Sequence, residues 1–329
     1  MFSSVTTFSA LVAASALAAV VAFRVLAGRQ RIDSRAVDWF SVLSIPFGVF
    51  FGHLLFAVSM ARLYISQPEY GLGFWLRPWD GGFMFYGAVL GCVLSALITR
   101  RITGVRVMTV LDAASVALLL LIALIRLSEP FDNLSDVGQG YGLSVYDLPM
   151  PPFLPFAFSP YTDMPDELCM AVFALEAIYA LVIAVLSVRW LGRLPKGQTA
   201  LRALLLYAAA QILFETLRRD YTVRLRFVRV SQLISALALL GLMIYACRSR
   251  RLSAKETALR IAALLVLAGG VVALEFAVDK PLILPNGEAI FFEYWVTYSL
   301  IGLCAAAMGI VTWRSLCPAG TKEPRAKAA

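Results

Sequence analysis

Nine apolar runs, each close to the length that crosses a bilayer, leave this chain of 329 residues almost no water-soluble architecture to fold into. They cover roughly 7 to 27, 39 to 60, 82 to 99, 107 to 126, 168 to 190, 200 to 217, 230 to 247, 258 to 278 and 291 to 313. About 20 apolar residues wound as a helix cross roughly 30 Å of hydrocarbon and satisfy every backbone polar group internally. With 60% hydrophobic and only 15% charged residues, the composition excludes a soluble fold of this length. The expected fold is all-α, a polytopic integral membrane bundle of about nine transmembrane helices.

Charge fixes a direction through the membrane. The first run is followed, not preceded, by Arg24, Arg29, Arg31 and Arg35, which reads as a retained helix and not as a signal peptide. With the N-terminus outside, the inner segments carry Arg29, Arg31 and Arg35; Arg100, Arg101 and Arg106; Arg189, Arg193 and Lys196; Arg248, Arg250, Arg251 and Lys255; and the Lys322, Arg325, Lys327 tail. The outer segment 127 to 167 holds Glu129, Asp132, Asp136, Asp147, Asp163, Asp166 and Glu167 and no Lys or Arg. Lys and Arg are retained on the cytoplasmic side, so the expected topology has the N-terminus outside and the C-terminus in the cytoplasm. The net charge of +8 is then explained by anionic headgroups at the inner face, and no nucleic-acid partner is expected. Against this pattern, Arg218, Arg219, Arg224, Arg226 and Arg229 crowd into an outer loop, which points to a site for anionic lipid.

Several familiar chemistries find no support. Cys92, Cys169, Cys247, Cys304 and Cys317 are scattered singly, without C-x-x-C spacing or neighbouring histidines, so neither a metal site nor a disulfide framework is expected. The Gly138-Gln139-Gly140 run follows no strand and opens no helix, so it is no dinucleotide fingerprint and no cofactor is expected. The lone histidine, His53, sits in an apolar run and reads better as a neutral imidazole bonded to a neighbouring helix than as a catalytic base. Residues 128 to 166 mix acidic residues, six prolines from Pro149 to Pro165 and aromatics such as Phe153 and Tyr161, a composition suited to an arm on the outer leaflet.

A charge at bilayer depth is costly, so each ionisable residue inside a span needs a partner or a function. Asp112, Arg126, Glu129, Glu176, Glu215, Arg218 and Glu275 are such residues. Arg126 and Glu129 stand three apart at the outer end of the fourth helix, and Glu215 and Arg218 three apart at the outer end of the sixth. Each pair therefore shares a helix face, either as a local ion pair or as part of a site. Glu275 and Glu293 either pair with core arginines or sit at the outer interface, and the interface is the preferred reading. The Gly81 to Gly91 stretch, with four glycines, reads first as a seam where two backbones approach closely.

Taken in order, these residues resemble the prolipoprotein diacylglyceryl transferases of the bacterial cytoplasmic membrane. The stretch from Trp79 to Gly91 is similar to the family's tryptophan, double-glycine, phenylalanine, histidine, glycine run. Asp112 and Arg126 reproduce the fourteen-residue interval before its signature arginine, and Ala174-Leu175-Glu176 echoes a helix start. Tyr207, Gln211, Glu215 and Arg218 resemble its arginine-bearing helix, and Ser231-Gln232-Leu233-Ile234-Ser235 its last core helix. The resemblance runs from about 38 to 247 and implies a seven-helix core over 1–247, with 248–329 a two-helix extension and basic tail.

The resemblance implies transfer of the diacylglyceryl group of phosphatidylglycerol to the thiol of a prolipoprotein's lipobox cysteine, next to its signal peptide, with release of glycerol phosphate. Arg126 would grip the phosphate, Tyr207 and Glu215 would orient it, and Gln211 and Arg218 would complete the pocket. This chain departs from the family where Tyr86 stands for its histidine, Glu129 for an asparagine, Gln211 for a second arginine and Phe40 for a tyrosine. Tyr86 and Glu129 are the candidates for the proton-handling role, and burial favours Glu129 by raising a carboxylate's proton affinity. The alternatives are a lipid-binding accessory protein that keeps the pocket without the reaction, and a transporter.

Overall fold

The computed structural model describes residues 7–61, 65, 76–77, 82–131, 157–158, 169–218, 224–225, 228–279, 282–283, 289–290 and 294–317. Among them, nine helices are long and apolar enough to cross a membrane. They are α1 (Thr7–Arg29), α2 (Ser34–Ser59), α3 (Phe85–Thr103), α4 (Val107–Ser128), α5 (Val172–Trp190), α6 (Gln198–Leu217), α7 (Val230–Ser249), α8 (Ala254–Asp279) and α9 (Tyr294–Leu316). A 3-10 turn, Glu129–Phe131, continues α4. Three two-residue antiparallel ladders join β1 (Ala157–Phe158) to β2 (Cys169–Met170), β3 (Arg224–Leu225) to β4 (Val228–Arg229), and β5 (Leu282–Ile283) to β6 (Ala289–Ile290). The bundle is all-α in class, with these hairpins as ornaments between spans.

The helices outrun the apolar runs at their polar ends, because Arg, Lys and Thr continue a helix once its backbone bonds are in place. α3 passes through Arg100 and Arg101 to Thr103 and stops at Gly104, whose φ of 76° only glycine adopts freely. The described residues fall into two compact units, one drawn from 1–134 and 177–203, the other from 135–176 and 204–324.

In the first unit, α2 lies along α3, α1 packs on α4, and α3 also meets α4. The α2–α3 seam explains the glycine run. A Cβ on Gly87 would stand 2.2 Å from the carbonyl oxygen of Phe51, and one on Gly91 2.4 Å from that of Phe47. Lipid tails are as apolar as Leu, so helices associate here by close backbone approach and not by a hydrophobic gain. Phe40, at a position where the family resemblance puts a tyrosine, is buried with its ring centroid 4.6 Å from that of Phe23.

In the second unit, α8 packs on α7 and α9, and α9 also packs on α7. Arg250, just past α7, donates through Nη1 to the carbonyls of Arg314 (3.3 Å) and Ser315 (3.2 Å), and Arg260 Nη1 donates to Ser315 Oγ at 2.7 Å. Arg250 thus satisfies two of the last carbonyls of α9, and both cations complement its dipole.

Candidate functional site

Asp112 is a carboxylate whose job is structural. Its Oδ2 accepts the Gly197 N–H at 2.6 Å and its Oδ1 the Ala200 N–H at 2.9 Å, so a side chain from α4 caps the start of α6. A negative charge on the orphan N–H groups of a helix start is favourable. The start of α6 is thereby fixed, although the helix opens with Gln198 and Thr199 and not with a strong cap of its own.

His53 is buried at 1% exposure, and its Nδ1 lies 3.2 Å from the carbonyl oxygen of Gly82, ahead of α3. That agrees with the reading of a bonded core histidine. Tyr86 is buried in the first turn of α3, its ring 5.3 Å from that of Phe85.

Both arginine–carboxylate pairs exist. Arg126 Nη1 donates to Glu129 Oε1, joining the end of α4 to the 3-10 turn, and both side chains are largely withdrawn from the surface. Arg218 Nη1 lies 3.4 Å from Glu215 Oε1, with both side chains below 10% exposed. Surface ion pairs that merely reach for water would be open to it, and these are not.

Around Glu215 the second unit builds a polar cluster, and Tyr207 of the same helix forms a separate pair with Glu176. Gln211 Nε2 donates to Glu215 Oε1 at 2.9 Å, one turn apart on α6, and the Gln211 Oε1 atom is buried with no hydrogen-bond partner among the described residues. Tyr207, almost fully buried on the same helix, donates its hydroxyl proton to Glu176 Oε1 of α5 at 2.8 Å. The phenol proton of Tyr207 is thus committed to a carboxylate, which gives Glu176 a partner. Arg229, at the mouth of α7, donates through Nη2 to the carbonyl oxygen of Arg218. Its own N–H donates to Gln232 Oε1 at 3.1 Å, and Gln232 Nε2 turns toward Thr216 Oγ1 and Glu275 Oε1, each at 2.8 Å.

Glu275, read from the sequence as pairing with a core arginine or sitting at the outer interface, is hydrogen-bonded to Thr216 of α6 and Gln232 of α7. Thr216 and this role of Glu275 were missed in the sequence, which had singled out Arg229 only as one of five clustered outer arginines. The available signal was a Thr and a Gln set in apolar runs, each needing a polar partner in hydrocarbon. Glu293, Arg219, Arg226, Trp79 and most of the proposed outer-leaflet arm lie outside the described residues, and for Arg224 the backbone alone is described. Among the described residues no group of three or more His, Cys, Asp or Glu side chains is arranged to hold a metal ion. What the clusters can do is hold an anion: guanidinium forks near buried amides and hydroxyls suit a phosphate.

Comparison with known proteins identifies the family and relatives of this chain. The family model described as prolipoprotein diacylglyceryl transferase matches residues 1–248. A phosphatidylglycerol–prolipoprotein diacylglyceryl transferase of Paenarthrobacter aurescens is 31% identical over 229 residues, covering 66% of this chain and 71% of the relative. The enzyme of the same name from Symbiobacterium thermophilum is 27% identical over 222 residues, 67% of this chain and 80% of the relative. That of Mycobacterium leprae is 28% identical over 240 residues, 69% and 72% of the two chains.

Proposed function

Because the chain belongs to the prolipoprotein diacylglyceryl transferase family, we propose that this multi-pass membrane protein moves the diacylglyceryl group of phosphatidylglycerol onto a prolipoprotein, at the cysteine thiol beside its signal peptide. The thiol sulfur attacks the glyceryl carbon that bears the phosphate ester. A carbon–sulfur bond forms, the carbon–oxygen bond breaks, and its electron pair leaves on the oxygen of glycerol phosphate. The reaction needs cationic donors for the departing phosphate and an acceptor for the thiol proton, since a thiol of ordinary pKa is only a few per cent ionised near pH 7.

The match over 1–248 carries this reading, and the buried arginine clusters support it. We assign Arg126 and Arg218 to the phosphate, an assignment that rests on the order of motifs along the chain. Glu215 holds Arg218, Gln211 adds an amide, and Tyr207, tied to Glu176, is assigned with Glu215 to orienting the phosphate. Glu129 takes the thiol proton. Tyr86, at the position of the family's histidine, contributes a hydrogen-bond donor and not a base, because a phenol with a reference pKa near 10 is scarcely ionised at neutral pH. In this reading residues 1–247 are the catalytic core, 248–329 an added pair of helices with a basic tail, and the chain lies with its N-terminus outside and its C-terminus in the cytoplasm of a bacterial cell.

The test is transfer of labelled diacylglycerol from phosphatidylglycerol in vesicles to a lipobox peptide. Label on a cysteine peptide and none on its serine counterpart, lost in Arg126→Ala, is the result expected. Retention of phosphatidylglycerol without any transfer would replace the reading with that of an accessory lipid-binding protein.

A further inference from the structure

α8 and α9 lie beyond the residues matched by the family model, and α8 is the least buried of the nine spans. Most of α8 therefore presents apolar side chains such as Leu259, Leu265, Val266 and Phe276 outward. One residue near its end does the opposite. Glu275, half-buried, directs Oε1 to Thr216 Oγ1 of α6 at 2.6 Å and to Gln232 Nε2 of α7 at 2.8 Å. A carboxylate within a membrane span is retained only where donors compensate its lost hydration, and here the donors are supplied by the two helices that carry the arginine cluster.

The hydrogen-bond inventory gives the contact a direction. Gln232 Oε1 accepts the Arg229 N–H, the capping arrangement that starts α7, so its amide NH2 must face the other way, toward Glu275. That NH2 has two protons for three acceptors: Glu275 Oε1 and Thr216 Oγ1 at 2.8 Å and the Ile212 carbonyl at 3.1 Å. Thr216 has one proton, and the carboxylate at 2.6 Å outcompetes the Ile212 carbonyl at 3.1 Å, since a charged acceptor gives the stronger bond. Without Glu275, the Gln232 amide and the Thr216 hydroxyl lose the one charged acceptor they have among the described residues. Gln232 is then less firmly oriented toward Arg229, whose guanidinium in turn holds the Arg218 carbonyl.

We propose that Glu275 is a positioning residue for the headgroup site: from the added helix α8 it orients Gln232 and Thr216, and through Gln232 and Arg229 the turn that carries Arg218. The proposal rests on the assignment of Arg218 to the phosphate of phosphatidylglycerol. It makes the two-helix extension a part of the working site and not an appendage to it.

The experiment compares KM for phosphatidylglycerol, kcat and melting temperature in the full-length protein. Glu275→Leu raises KM about tenfold with kcat within about threefold, the size of one lost hydrogen bond to a charged group. Glu275→Gln, whose amide oxygen still accepts both bonds, returns KM to within about threefold of wild type. If Glu275 acts through Gln232, the double variant Glu275→Leu with Gln232→Leu has the KM of Gln232→Leu alone. A lowered melting temperature with KM unchanged in Glu275→Leu would overturn the proposal. Should Glu275→Leu not fold, Thr216→Val takes its place, with KM up about threefold expected and an unchanged KM overturning it. If wild type transfers nothing to the cysteine peptide, the transferase reading fails separately. Phosphatidylglycerol retained on purification then decides: less in Glu275→Leu than in wild type sustains the positioning role, and equal amounts end it.

Discussion

The α2–α3 seam and the α6–α7–α8 cluster join membrane helices in opposite ways. The first brings backbones together at Gly87 and Gly91, where even a methyl group would collide with the carbonyls of Phe51 and Phe47. The second joins helices through side chains, Thr216 and Gln232 bonding Glu275 across three helices, beside the Gln211, Glu215 and Arg218 bonds that run along α6. Both answer the same problem, since a bilayer offers no hydrophobic gain for helix association. The glycine seam needs no charge and leaves no room for a ligand. The polar cluster retains two buried arginines, Arg218 and Arg229, at a cost that packing alone would not require. Dense glycine in the sequence therefore marks a close backbone seam, and polar residues clustered in apolar runs mark the proposed site.

That contrast can be broken by substitutions on either side. The largest effect is expected from Gly87→Leu or Gly91→Leu, which should yield no monodisperse protein in detergent, as gel filtration would report. Folded, active protein from either would remove the scaffold argument. Arg218→Ala should fold and elute like wild type while transfer to the peptide falls by about 10² to 10³, the loss typical of a removed charge-stabilising donor. Glu129→Gln should lower kcat by about 10² with KM little changed, as for loss of a general base. Tyr86→Phe should cost less, about tenfold in kcat, if the phenol donates a hydrogen bond and is not the base. Asp112→Asn should have the smallest effect on activity. It should weaken the capping of α6 by about 1 kcal/mol, seen as a lower melting temperature, with kcat per folded molecule unchanged.

The nine spans were legible in the sequence because each is a local run of the required length, and composition alone sets it apart. The two arginine–carboxylate pairs were legible for the same reason: a spacing of three on a helix places both side chains on one face. The functions of Asp112 and Glu275 were not. Asp112 meets Gly197 across 85 residues and Glu275 meets Gln232 across 43, and such contacts leave no period or spacing to read. The helix ends were also misplaced by a few residues, as at α3, because the apolar run fades before Gly104 stops the helix.

The central claim is that buried arginines of this bundle hold the phosphate that leaves when a thiol takes the diacylglyceryl group. The most direct measurement is release of glycerol phosphate from headgroup-labelled phosphatidylglycerol, with and without a cysteine lipobox peptide, by wild type and by Arg218→Ala at matched amounts of folded protein. The account predicts release that depends on the peptide thiol, in one-to-one ratio with labelled peptide, and that falls at least about a hundredfold in Arg218→Ala. Release that ignores the peptide, or that survives the loss of Arg218, would contradict it.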